Sequence, residues 1–244
     1  MGYIINIVTG KSRAKSPPLF TVSNNKYTYR ESTASDGTVN WELALTEGSG
    51  QTITFQRVVD AVDVFVCAGG NPGGSRTTQQ GGTGGTGGGA ASYNNISVSA
   101  GTAYSFTVGG SGQNTTIFGK TASTGGGSIG GLGANVQAAS QAQTGTAGTV
   151  YAFGSSSTLI NSGRKYGGGG GGGGFKLGNN TYNGADGGAS GGGHGGDESH
   201  SDTGERDGAA NSGGGGGGAS VNLYGYSDAG AGGSGVIIIR NHRT

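Results

Sequence analysis

The sequence predicts a mainly β fold, in which β-sandwich-like strands carry glycine-rich insertions that form a polyglycine II helix bundle, with almost no α-helix. Three observations lead there. Of the 244 residues 61 are Gly and only 31% are hydrophobic, so a conventional large apolar core is not available. The glycine is unevenly spread: residues 1–66 hold five and the remaining 178 hold 56, which marks a break near Cys67. Apolar residues outside the glycine runs recur with a period of two, and no segment shows a helical period.

Taken in order, Val39, Trp41, Leu43 and Leu45 share one strand face, and Ile53 with Phe55, then Val62, Val64 and Val66, continue the alternation. Glu47-Gly-Ser-Gly50 between the first two strands reads as a hairpin loop. Beyond Cys67, short strands are expected at residues 96–98, 104–108, 115–118, 149–153 and 236–240. Between them lie the glycine runs 81–89, 167–174, 187–196 and 213–218. The division expected is an N-terminal attachment or β segment over 1–40 and a glycine-rich β/polyglycine II domain over 41–244.

Gly loses more conformational freedom on folding than any other residue, so such a chain needs dense backbone hydrogen bonding to fold. Collagen is excluded, because only Pro17, Pro18 and Pro72 are present and no G-X-Y register is sustained. A flexible linker would not need Val62-Asp-Val-Phe-Val-Cys67 or Val236-Ile-Ile-Ile-Arg240 among its glycines. The run Gly81-Gly-Thr-Gly-Gly-Thr-Gly-Gly-Gly89 has a period of three, that of polyproline II geometry. Such strands have no internal hydrogen bonds, so every amide is free to pair laterally, with Thr83 and Thr86 on an outward edge.

The net charge of +1 gives no field for nucleic acid or an anionic membrane. Five Lys/Arg against two acids in residues 1–40, and nine against eleven in residues 41–244, place the basic excess at the N-terminal side. The single Cys67 excludes an intramolecular disulfide framework and is expected to pack as a small hydrophobe. Lys11, Arg13 and Lys15 follow the first apolar stretch rather than precede it, so no signal peptide is expected. No apolar run reaches the length of a membrane span, and no membrane insertion is expected.

Asn40-Trp-Glu-Leu-Ala-Leu45, Gly50-Gln-Thr-Ile-Thr-Phe55, Val62-Asp-Val-Phe-Val-Cys-Ala-Gly-Gly70 and Gly232-Gly-Ser-Gly-Val-Ile-Ile-Ile-Arg240 follow one another in a characteristic order. In that order the chain resembles glycine-rich tail or fibre proteins of tailed bacteriophages and prophages, over about residues 39–244. Ser99-Ala-Gly-Thr-Ala-Tyr-Ser-Phe-Thr-Val-Gly-Gly110 is similar to a further unit of that group. The resemblance implies a virion protein made in the host cytoplasm, a tail fibre or distal tail component that contributes to host-surface attachment. By analogy with polyglycine-sandwich adhesins it implies a bacterial surface receptor, protein or glycan. Other virion proteins, reached through the N-terminal segment, and a homo-oligomer, as a trimer, are the further partners implied. The glycine-rich extracellular domain of certain receptor tyrosine kinases is similar in architecture, though Cys-rich. Rival readings are a structural fibre or head-decoration protein without receptor binding, a surface-polysaccharide depolymerase, and an ice- or surface-binding protein.

No catalytic residue, cofactor or metal is expected. Gly119-Lys-Thr121 ends like a phosphate loop, but the Gly required five positions before Gly119 is Asn114. His194, Asp197, Glu198 and His200 form the densest polar cluster, yet their spacing matches no metal motif and reads as an exposed loop. Phe175, Tyr182, Tyr224 and Tyr226 border glycine runs, where they either cap the bundle or offer rigid contact area. Together with the His194 cluster they are the candidate receptor contacts.

Overall fold

The structure is a computed structural model that describes residues 19–242 except 136, 161, 178–179, 198–202 and 223–224. Its strands are β1 (Phe20–Val22), β2 (Tyr27–Thr33), β3 (Val39–Leu45), β4 (Gln51–Phe55), β5 (Val62–Cys67), β6 (Ala90–Ile96), β7 (Ala103–Thr107), β8 (Thr115–Ile117) and β9 (Lys120–Ala122). These are followed by β10 (Val150–Tyr151), β11 (Lys165–Tyr166), β12 (Phe175–Leu177), β13 (Asn180–Tyr182), β14 (Ser220–Asn222), β15 (Gly225–Ser227) and β16 (Val236–Asn241). Helix among the described residues is confined to α1 (Thr203–Arg206) and a 3-10 turn at Ala152–Gly154. None is long and apolar enough to cross a membrane.

Two five-stranded antiparallel sheets, ordered β1-β4-β7-β8-β9 and β2-β3-β16-β5-β6, make a sandwich. Trp41, Leu43 and Leu45 from one sheet and Ile53, Phe55 and Phe106 from the other meet in its core, as the period of two requires. The second sheet is buried on both faces, because Ala44, Phe65, Cys67, Val236 and Ile238 pack outward against Ala152, Ile160 and Tyr166. That explains why β5 and the start of β16 read as unbroken apolar runs. Cys67 lies in this second core, where burial pushes its thiol up to about 12.

The segment Glu47-Gly-Ser-Gly50 is not a hairpin loop. Because β3 and β4 face the same core from opposite sides, their connection crosses between sheets. The division drawn at residue 40 falls inside β3, and β1 and β2 each belong to one of the sandwich sheets. Residues 115–118 form β8 and the first turn residue: Phe118 and Gly119, at φ 51° and 69°, turn the chain into β9. Residues 149–153 give the short β10 and then the 3-10 turn.

The glycine-rich body enters as two insertions, one between the paired strands β5 and β6 and one between β9 and β16. Gly81, Gly84 and Gly87 donate backbone hydrogen bonds to Ala134, Gly131 and Ser128 at 2.9, 2.8 and 2.8 Å. Gly82, Gly85 and Gly88 donate to Ala219, Gly216 and Gly213 at 2.8, 2.7 and 2.6 Å. The third set of positions, Thr83 and Thr86, accepts from Gly74 and Asn71. Each face of the strand thus repeats every third residue and meets a different neighbour, which is the polyglycine II arrangement.

Segment 167–174 is the centre of the bundle. Its amides donate to residues 82–85, 143–146 and 193–196, while its carbonyls accept from 128–134, 185–188 and 215–218, giving six surrounding strands. A Cβ built on any of Gly169, Gly170, Gly171, Gly172 or Gly173 would lie 1.9–2.1 Å from a backbone oxygen. Here glycine is required for close approach, so that amide–carbonyl pairing replaces side-chain packing as the interior.

Candidate recognition surface

The bundle has a base on the sandwich and a tip facing away from it. At the base a Cβ on Gly213 would touch Cys67 Sγ, and Gly88 donates to Gly213. Seven steps of the central segment, at about 3.1 Å each, set the tip roughly 22 Å away. There the chain must turn repeatedly, and the turning segments are the ones that carry side chains.

A small sheet, ordered β13-β12-β14-β15, closes the tip. Phe175 pairs with Tyr182 in one hairpin and with Val221 across the parallel join to the other. Beneath it Ala134, Phe175 and Val221 form a third apolar cluster, with Ala142 and Tyr182 packed against its edge. Phe175 is only 4% exposed, so it plugs the end of the bundle, and Tyr182 is half-buried. Tyr226 pairs with Val221 on β15. Glu198, His200 and Tyr224 lie outside the described residues.

His194 Nδ1 stands 3.2 Å from Asp186 Oδ1, on an exposed flank. Asp197, half-buried, has an interaction of its own. Among the described residues no three His, Cys, Asp or Glu side chains gather as a metal site would require. The structure thus joins Phe175 and Tyr182 in one cap, and it pairs His194 with Asp186 rather than with Asp197.

Two further loops, passed over in the sequence, complete the tip. Asn135 and Ser140 exchange backbone hydrogen bonds at 3.0 and 2.9 Å, and Asn135 Oδ1 accepts from the Ala138 amide at 3.1 Å. In the neighbouring loop the Thr77 amide donates to Gln80 at 2.9 Å. A β-bridge between Gln80 and Asn135 ties the two loops together. Thr77, Thr78, Gln79, Gln137, Ser140 and Gln141 are all exposed. The one signal for them in the sequence was position, since residues 75–80 and 135–142 are the polar stretches where glycine runs reverse.

Comparison with curated proteins gives no match. A glycine-rich domain family matches residues 46–242, from the inter-sheet crossing through the bundle to the end of the terminal strand. The chain belongs to this glycine-rich domain family.

Proposed function

We propose that this protein is a structural component of a tailed-phage virion, in a tail fibre or at the distal tail, that contributes to attachment to the bacterial surface. The observation that carries the reading is the convergence of the turning loops at one end of a rigid bundle whose interior is all backbone. Rigid scaffolds that present loops at one end are a recurrent way of building recognition surfaces. The order of motifs from Asn40 to Arg240, which resembles that of phage glycine-rich tail proteins, agrees with it.

In this reading the sandwich faces other virion proteins through its N-terminal segment, and the tip faces the bacterium. The virion component is made in the host cytoplasm and acts as an oligomer, with a trimer as the arrangement usual for fibres. Adsorption competition tests it. Purified protein added to bacterial cells should bind saturably and reduce phage adsorption on the same strains. Firm incorporation into virions without any cell binding would instead leave a structural fibre or head-decoration protein.

A further inference from the structure

We infer that the tip binds a neutral glycan, a reading that rests on the attachment role proposed above and specifies its ligand. The contact surface is assigned to the loops around Thr77, Gln79, Gln137 and Gln141, with Tyr182 and Asn183 beside them.

The chemistry of these side chains is the first argument. Each carboxamide both donates and accepts hydrogen bonds, and a hydroxyl does the same. A surface made of both matches the hydroxyls of a sugar, each of which also donates and accepts. Thr77, Gln79, Gln137, Gln141 and Asn183 are all exposed, so their polar groups are presented to solvent. Tyr182 adds an aromatic side chain at the edge of the cap.

Charge is the second. None of these six residues is ionised at neutral pH, and the cations of the adjoining segments, Arg76 and Lys176, both have interactions of their own. His194 and Asp186 sit on the flank as a pair. An anionic polysaccharide or a charged protein epitope would call for clustered opposite charge. A protein partner would also call for large apolar anchors. The nearest exposed one, Leu132, stands on the side of the bundle one three-residue turn below Asn135.

Order is the third. The hydrogen bonds within residues 135–140, those within 77–80 and the bridge between Gln80 and Asn135 hold the two loops in place before any ligand arrives. Loops fixed in this way lose little further entropy on binding, which matters for a ligand that offers mostly hydrogen bonds.

The test uses the full chain against three probes: uncharged hexose oligosaccharides from bacterial surface polysaccharide, the corresponding uronic-acid oligosaccharides, and intact cells of a panel of bacterial strains. The neutral oligosaccharides should bind saturably, with an affinity that changes less than about twofold between low and high salt, because no ion pair is broken. The double variant Gln79→Ala/Gln141→Ala should weaken binding by about tenfold or more, from roughly two to tenfold per hydrogen bond lost. Its melting temperature should stay that of the wild type, since both side chains are exposed. Cells oxidised with periodate should lose binding, and protease-treated cells should keep it. Binding that survives periodate but not protease, or that prefers the uronic-acid probe, overturns the glycan assignment and leaves attachment standing. Absence of binding to every strain overturns both.

Discussion

Gly170 shows how little choice the bundle leaves at single positions. A Cβ there would lie 2.0 Å from the Gly216 carbonyl oxygen, a backbone atom held in turn by the Gly85 amide. Neither can yield without breaking its own hydrogen bond, so Gly170→Ala should destabilise by more than about 3 kcal/mol, above the usual overpacking cost. Thr83→Ala, on an exposed position of a neighbouring strand, should stay within about 0.5 kcal/mol of wild type. Urea unfolding of the two variants checks the contrast, and equal stability would mean that the strands are not packed backbone to backbone. Asp63 carries a different constraint. Burial raises its carboxyl, but hydrogen bonds from His242, the Asn95 amide and Arg240, with the Arg240 charge, hold it below the ordinary carboxylate value. Because the folded value is depressed, the ionised form stabilises the fold above the unfolded pKa of about 3.9, and that contribution disappears as pH falls through the folded value. The melting temperature of wild type should therefore drop more steeply below about pH 4 than that of Asp63→Asn. Parallel acid profiles would show that the carboxylate adds nothing.

Among the elements, β16 decides whether the sandwich closes. It enters between β3 and β5, so residues nearly 200 positions apart in sequence share one ladder. A row of charges crosses that sheet in register, from Arg30 to Glu42, Arg240 and Asp63. Glu42 is fully buried and accepts the Leu159 and Ile160 amides at 2.8 and 2.9 Å. Arg240 reaches Asp63 at 3.1 Å and lies 4.0 Å above the Phe153 ring. The row fixes the register of the inserted strand, since a one-residue slip would carry each charge to the apolar core face. Removing one member leaves a buried partner uncompensated. Arg240→Ala should therefore cost about 3 kcal/mol or more, and the penalty should shrink when Asp63→Asn is present. A double-mutant cycle by urea unfolding reads the coupling, and strict additivity would dismiss the row as a register device.

At the scale of the whole molecule two interiors coexist, one of side chains and one of backbone. The central strand 167–174 has hardly any side-chain surface to bury, yet it is surrounded on six sides by hydrogen-bonded neighbours. Its amides should exchange with solvent as slowly as those of β5 in the sandwich, a result that hydrogen exchange followed by NMR or mass spectrometry can check. Fast exchange confined to residues 168–174 would mean that the bundle opens independently of the sandwich. Calorimetry offers a second reading. Exposure of apolar surface raises the heat capacity on unfolding, and exposure of polar surface lowers it. With so much of the interior made of peptide groups, the heat-capacity change should fall below the usual range of about 12–15 cal/mol/K per residue.

The amino-acid sequence by itself determined the two packing regimes and their boundary, because composition dictates what can be buried: alternating apolar side chains before Cys67, bare backbone after it. It also determined the three-residue repeat of the strand 81–89, since only glycine permits the close approach on two faces while Thr83 and Thr86 occupy the third. Only the tertiary structure decided that residues 47–50 cross between sheets, that Phe175 plugs the bundle and that the loops at 77–80 and 135–140 adjoin. Glycine runs of nearly identical sequence do not encode which neighbour each will take. That choice follows from where the sandwich strands and the tip hairpins anchor the ends of each run, which is a property of the assembled fold.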